Sequence, residues 1–149
     1  MQAVKIPKIK PTDFPINPAL KDSLKTKRGI NGLGLFTTTA IKKGEYVIEY
    51  FGKMLTTDEA NQKGGLYLFE ISSKNTIDGT ARENIARYLN HSCRPNCEVD
   101  IKKGRVLISA KKNIAAGEEL CYDYGREYWK EYIKPKGCRC EKCALKKTV

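Results

Sequence analysis

No cysteine precedes Cys93 in this chain of 149 residues, yet six follow: Cys93, Cys97, Cys121, Cys138, Cys140 and Cys143. A disulfide scaffold spreads its cysteines more evenly and works in an oxidising compartment. The crowding seen here argues for a bound metal instead. The N-terminus has no apolar core of a secretory signal, and no apolar run approaches the ~20 residues of a membrane span. The expectation is an intracellular protein without membrane contact. Acidic residues are scarce beside basic ones, 17 Asp and Glu against 28 Lys and Arg, a net charge of +11. That excess fits a solvated lysine-rich surface, or attraction to nucleic acid or to an acidic protein face. No helix-turn-helix or RNA-binding motif accompanies it, so charge implies a general polyanion preference and no sequence readout.

What is present suffices for one domain. Apolar residues make up 40% of the chain, enough for a modest core and too many for a disordered segment. Residues 1–26 alternate Pro7, Pro11, Pro15 and Pro18 with lysines, the composition of an extended arm. Tyr46 to Phe51 is β-branched and aromatic, hence a strand, and Leu66 to Ile71 reads the same way. Thr56 and Glu59 have capping-box spacing for a short helix to Lys63, stopped by Gly64-Gly65. Cys97 to Ile101 and Arg105 to Ala110 bracket Lys102-Lys103-Gly104 as a hairpin. Glu83 to Leu89 suits a brief helical turn, and Arg126 to Ile133 a short helix ended near Pro135. Many short strands with few short helices predict a mainly β (α+β) domain.

Two segments concentrate the chemistry. Arg87-Tyr88-Leu89-Asn90-His91-Ser92-Cys93-Arg94-Pro95-Asn96-Cys97 holds the one histidine, two cysteines and two asparagines. Pro95 bars regular helix there, and the Asn, Ser and His side chains favour local hydrogen bonds over a repeating ladder. Gly117-Glu118-Glu119-Leu120-Cys121-Tyr122-Asp123-Tyr124-Gly125 is the second. Upstream, Asn31-Gly32-Leu33-Gly34 follows Gly29. Those glycines suit either a hairpin turn or a close backbone approach to a ligand. Cys138, Cys140 and Cys143 crowd three thiols together, which suits tetrahedral zinc.

NHSCRPNC followed by GEELCYDYG resembles the two signature motifs of the SET-domain protein-lysine methyltransferases, with the similarity running from about Lys27 to Cys143. The resemblance implies a SET fold: several small sheets around a C-terminal pseudoknot, with a zinc-bound post-SET tail. It divides the chain into an arm at 1–26, a SET domain at 27–125 and a post-SET tail at 126–149. It implies S-adenosylmethionine as cofactor and structural zinc, with Cys93 joining Cys138, Cys140 and Cys143; Cys97 is a rival for the fourth place. The tail departs from the commonest family spacing, since only two residues separate its last two cysteines.

By the same resemblance, Tyr124 is the catalytic tyrosine, Tyr122 sits where Tyr or Phe limits the methyl count, and Tyr50 lines the lysine channel. Tyr122 favours mono- or dimethylation. Asn31, Gly32, Leu33, Gly34, Tyr67, Arg87, Tyr88, Asn90, His91, Tyr128 and Trp129 match residues around the cofactor. His91 acts there through its backbone or as a buttress, not as a base. The implied partner is a lysine-containing protein, histone-like, entering as an added strand, and the implied compartment is the nucleus in a eukaryote. Methyl transfer needs a neutral amine, and neutralising a lysine of pKa ~10.4 at pH ~7 costs roughly 4.6 kcal/mol. Aromatic walls and a nearby cation serve that better than a strong base. Taken without the motifs, the same residues also fit a zinc-stabilised, non-catalytic binding module for nucleic acid or an acidic partner.

Overall fold

In the computed structural model the described residues are 15–29, 32–128, 130, 133–138 and 140. Asn31, Trp129, Cys143 and residues 1–14 of the arm lie outside them. The strands are β1 (Leu24–Gly29), β2 (Gly32–Thr37), β3 (Tyr46–Tyr50), β4 (Lys53–Thr56), β5 (Leu68–Glu70), β6 (Asn75–Asp78), β7 (Asn90–His91), β8 (Cys97–Lys102), β9 (Arg105–Ala110) and β10 (Glu119–Tyr122). They form three small sheets, ordered β1-β2-β10-β7, β3-β9-β8 and β4-β6-β5. No helix of the described residues is long and apolar enough to cross a membrane.

Local sequence chemistry explains most of these elements. In β9, Val106, Ile108 and Ala110 are buried and their neighbours half-exposed, the period of a strand with one face in the core. β3 is buried along Val47, Ile48, Glu49 and Tyr50. The charge of Glu49 is met across the sheet by Arg105, whose Nε donates to Oε2 at 2.9 Å while a second guanidinium nitrogen donates to Oε1. Such a two-pronged pair compensates a buried carboxylate. The β8–β9 hairpin closes on Lys103 and Gly104 with φ of 50° and 76°, so both central residues take the left-handed conformation of a type I′ turn.

The helix α1 (Thr57–Lys63) carries the expected capping box. The Thr56 hydroxyl accepts from Glu59 N–H at 3.2 Å, and the Glu59 carboxylate accepts from Thr56 N–H at 3.2 Å. Gly64, at φ 61°, ends it. The strand expected over Leu66 to Ile71 is shorter, Leu68–Glu70; the Tyr67 carbonyl before it accepts from Gly79 N–H at 2.7 Å, in line with the β6 pairing, and from the Tyr50 hydroxyl at 2.8 Å. The helical turn at Ile85–Tyr88 is a 3-10 turn. Arg126–Tyr128 is a single helical turn, and Lys134–Lys136 is a 3-10 turn around Pro135.

Residue 27, taken as the start of the domain, lies inside β1. Part of the segment read as an arm packs on the sheets: Ile16 bridges Ile48, Pro15 O accepts from Glu49 N–H at 2.7 Å, and Leu20 is buried. The other five residues of β1 after Leu24 are exposed, on the outer edge of their sheet.

The core runs through Leu35, Val47, Ile48, Leu89, Val106, Ile108 and Leu120 and reaches Tyr50 and Tyr122. Two glycines let backbone and rings meet on its flank. A Cβ on Gly52 would lie 1.8 Å from the Asp78 carbonyl oxygen, and one on Gly79 would lie 2.5 Å from the Tyr50 ring. The first collision is with backbone and has no easy relief. Gly52→Ala is expected to lower unfolding stability by about 2–3 kcal/mol, read from urea denaturation midpoints.

Candidate active site

The two dense polar segments meet through one short parallel pairing. β7 lies beside β10 with Cys121 opposite Asn90 and Tyr122 opposite His91. Ser92 N–H extends it, donating to Tyr122 O at 3.1 Å. The Asn96 side chain ties the following loop to the same strand, accepting from Cys121 N–H at 2.9 Å and donating to Glu119 O at 2.8 Å. Asn96 thus spends its side-chain hydrogen bonds on the backbone of the second segment, while the Ser92 hydroxyl bonds locally, accepting from Arg94 N–H at 3.0 Å.

Asn90 is fixed by its amide nitrogen. Nδ2 donates to Leu33 O at 3.0 Å and to Glu119 Oε2 at 2.8 Å, which leaves the amide oxygen as the side chain's remaining acceptor. Gly34 packs into the same corner, where a Cβ would lie 2.4 Å from Glu119 Oε2 and 3.1 Å from Asn90 Nδ2.

Opposite stands a run of aromatic rings. Tyr122 and Tyr124 have centroids 4.8 Å apart, Tyr124 and Tyr128 5.0 Å, Phe69 and Tyr122 6.3 Å, and Tyr50 and Phe69 5.2 Å. The Tyr124 hydroxyl donates to the Leu89 carbonyl. Burial pushes the phenols of Tyr50, Tyr122 and Tyr124 well above the ordinary range; neighbouring Asp78 adds to this for Tyr50, Tyr124 for Tyr122, and Tyr128 for Tyr124. They stay protonated at neutral pH and act as hydrogen-bonding walls, not as bases.

Asn90 and the rings border one cleft of about 1010 Å³, lined among others by Leu33, Tyr50, Tyr67, Arg87, Tyr88, Tyr122, Tyr124 and Tyr128. Arg87 lies between two rings, its guanidinium carbon 4.8 Å from the centroids of Tyr67 and Tyr88. It donates to Thr80 O and to Tyr88 Oη, the latter at 2.7 Å. Arg87 Nε is a buried polar side-chain atom with no hydrogen-bond partner among the described residues.

Gly32 is exposed at the β1–β2 turn with φ 86°, so of the glycine segment Leu33 borders the cleft and Gly34 backs it. His91 is buried behind Tyr124, its ring centroid 5.5 Å away, and stands off the cleft wall. Desolvation lowers its pKa below the ordinary imidazole value, with the Asp123 charge opposing.

Cys93 and Cys138 meet beside His91. Cys93 Sγ is 4.0 Å from Cys138 Sγ, and His91 Nε2 is 3.4 Å from Cys93 Sγ. The donor atoms of His91, Cys93 and Cys138 all lie within 4.8 Å of one another. Cys140 is buried. Cys97 belongs to the apolar core, where burial pushes its thiol up to about 12.

Three contributors escaped the sequence reading. Phe69 fills the gap between Tyr50 and Tyr122. Glu119 holds Asn90. Asn84 is fully buried and joins the wall from behind, donating to Gly79 O at 3.1 Å and accepting from Phe51 N–H at 3.2 Å. Only the Glu119 position, inside a recognised motif, carried a signal that could have flagged it.

Comparison with known proteins gives these features relatives. The SET domain family matches residues 32–125. The chain is 35% identical over 127 residues to the histone-lysine N-methyltransferase trr of Drosophila melanogaster, covering 76% of this chain and 5% of that protein. It is 38% identical over 107 residues to the human histone-lysine N-methyltransferase 2D, covering 64% of this chain and 2% of that protein. It is 40% identical over 118 residues to the zebrafish histone-lysine N-methyltransferase SUV39H1-A, covering 67% of this chain and 28% of that protein. The chain therefore spans a small fraction of the length of each.

The buried phenols generate a pH dependence. Their native pKa values lie above the unfolded value of ~10, so the unfolded chain loses those protons first as pH rises. Their contribution to stability is whole below pH ~10 and declines above it. Urea midpoints are expected to fall as the pH rises above about 10, and to fall less steeply in a variant carrying Tyr50→Phe and Tyr124→Phe.

Proposed function

The chain belongs to the SET-domain family, and from that premise we propose that it is an S-adenosylmethionine-dependent methyltransferase acting on the ε-amine of lysines in proteins, with histones as substrates. The observation that carries this reading is the single cleft bordered by both Asn90 and Tyr124. The similar proteins are histone-lysine N-methyltransferases, which supports the substrate class and would set the protein to work at chromatin.

The residues on the cleft fit the cofactor. Arg87 Nε is a buried donor awaiting an acceptor, the Asn90 amide oxygen is an acceptor suited to an ammonium, and Gly34 keeps the backbone close behind. Asn31, Leu33, Gly34, Tyr67, Arg87, Tyr88, Asn90, Tyr128 and Trp129 would hold it, with Gly32 at the adjoining turn and His91 as a buttress behind Tyr124. When bound, its sulfonium supplies the methyl group and a positive charge. The chain does the rest by position. The rings of Tyr50, Phe69, Tyr122 and Tyr124 exclude water from a lysine side chain, which favours the neutral amine. The Tyr124 hydroxyl, anchored near the Leu89 carbonyl, orients that amine, and alignment contributes the other large part of the rate. The Tyr122 hydroxyl occupies space that further methyl groups would need, so mono- or dimethylation is the product.

The thiols fit zinc. Tetrahedral thiolates at ~2.3 Å from a metal sit ~3.8 Å from one another, and Cys93 and Cys138 are 4.0 Å apart. Cys93, Cys138, Cys140 and Cys143 would hold it and fasten the tail against the β7 segment.

Incubation with methyl-labelled cofactor and core histones, followed by mass spectrometry, tests the activity. Labelled lysine is the expected outcome, and no transfer to histones or to any lysate protein would overturn the reading. Tyr124→Phe is expected to lower transfer at least a hundredfold, on the order of 3 kcal/mol, while calorimetry still finds cofactor binding. Tyr122→Phe is expected to shift the product toward higher methylation states, read as added mass on the modified lysine.

A further inference from the structure

We propose that His91 is a positioning residue that joins the metal centre to the catalytic tyrosine: it donates Nε2–H to the Cys93 sulfur and accepts the Tyr124 backbone N–H at Nδ1, and it is not a metal ligand. This rests on the zinc and methyltransferase reading above.

The ring's own geometry assigns its proton. Tyr124 N–H donates to Nδ1 at 3.1 Å. A ring nitrogen that accepts carries no proton, so the neutral imidazole is protonated at Nε2. Nε2 faces Cys93 Sγ at 3.4 Å, a hydrogen-bonding distance to sulfur. Binding a metal through Nε2 would need the proton moved to Nδ1, directly against the Tyr124 N–H. Asp123 Oδ1 lies 3.7 Å from Nδ1, too far to draw the proton there, and its residue is exposed. The nearness of His91 to Cys93 and Cys138 thus has a different meaning from a three-donor metal set.

The register brings the two segments side by side. β7 runs parallel to β10 with His91 opposite Tyr122, so the ring reaches past the end of β10 to the next turn of backbone. The ring is 6% exposed, so neither bond competes with water. A donor to a metal-bound thiolate withdraws charge from the sulfur, lowers its reactivity and fixes its direction. The same rigid five-membered ring then sets where the backbone of Tyr124 sits. Metal loading and the position of Tyr124 become one coupled variable.

His91 is the one histidine of the chain, so a protein labelled with 15N-histidine gives a single ring spectrum. In the full chain loaded with 113Cd, the expected result is a proton on Nε2 and no scalar coupling between the metal and the ring nitrogens. A resolved coupling, or a proton on Nδ1, would overturn the proposal. Failure of cadmium to bind the cysteines at all would instead overturn the zinc reading, and this proposal with it. Removing zinc from the wild type is expected to speed hydrogen exchange of the Tyr124 amide at least tenfold, with the β9 amides unchanged; an unaltered Tyr124 amide would overturn the coupling. His91→Phe keeps the ring and removes both bonds. Chelator competition is expected to show zinc affinity weakened about 10–100-fold. His91→Gln, whose amide both accepts and donates, is expected to recover most of that loss, and a Gln variant no better than Phe would count against the proposal.

Discussion

Two residues of parallel ladder decide where everything chemical in this molecule sits. β7 is only Asn90–His91, and its pairing with β10 sets Asn90 and His91 against Cys121 and Tyr122. So short a pairing has little stability of its own. It persists because side chains reinforce it: Asn96 holds β10 from one side, and Asn90 reaches Glu119 and the Leu33 carbonyl from the other. β10 also pairs with β2, placing Leu120 opposite Leu35, and both are fully buried. The polar knot is therefore seated on apolar ground, and the phenols that follow β10 inherit a fixed position.

How much of this the sequence disclosed depended on distance along the chain. The capping box at Thr56 and Glu59, the Lys103-Gly104 turn and the alternation of β9 are decided by residues a few positions apart, and each is found where its pattern puts it. The shortened β5 shows the limit. Leu66 to Ile71 has strand composition throughout, but only Leu68–Glu70 forms the strand, and the Tyr50 hydroxyl on the Tyr67 carbonyl comes from another sheet, which no local pattern reveals. Phe69, packed against Tyr50 and Tyr122, and Asn84, which accepts from Phe51 N–H, were invisible as site residues for the same reason: these partners lie far away in sequence.

The site was legible chiefly through its motifs. Their residues made Asn90, Tyr122, Tyr124 and Cys93 conspicuous, and the structure gathers the first three around one cleft with Cys93 behind. Spacing alone left Cys97 open as a metal donor beside Cys93; the structure packs Cys97 into the core and sets Cys93 beside Cys138. The glycine segment was ambiguous between a turn and a ligand contact, and both readings have a share: Gly32 makes the turn, while Gly34 backs the Asn90 corner.

The placement of β10 has a temporal side. It lies between β2 and β7, both made long before it, and it is the last strand of the described chain. As the polypeptide leaves the ribosome, the sheets β3-β9-β8 and β4-β6-β5 have all their members before β10 appears. The cleft acquires Tyr122 and Tyr124 only when this final strand threads into the gap left for it. A partly synthesised chain has a nearly complete scaffold and an unfinished wall. Because such distant pairing is slow to form, reactivity arrives as the closing event of folding.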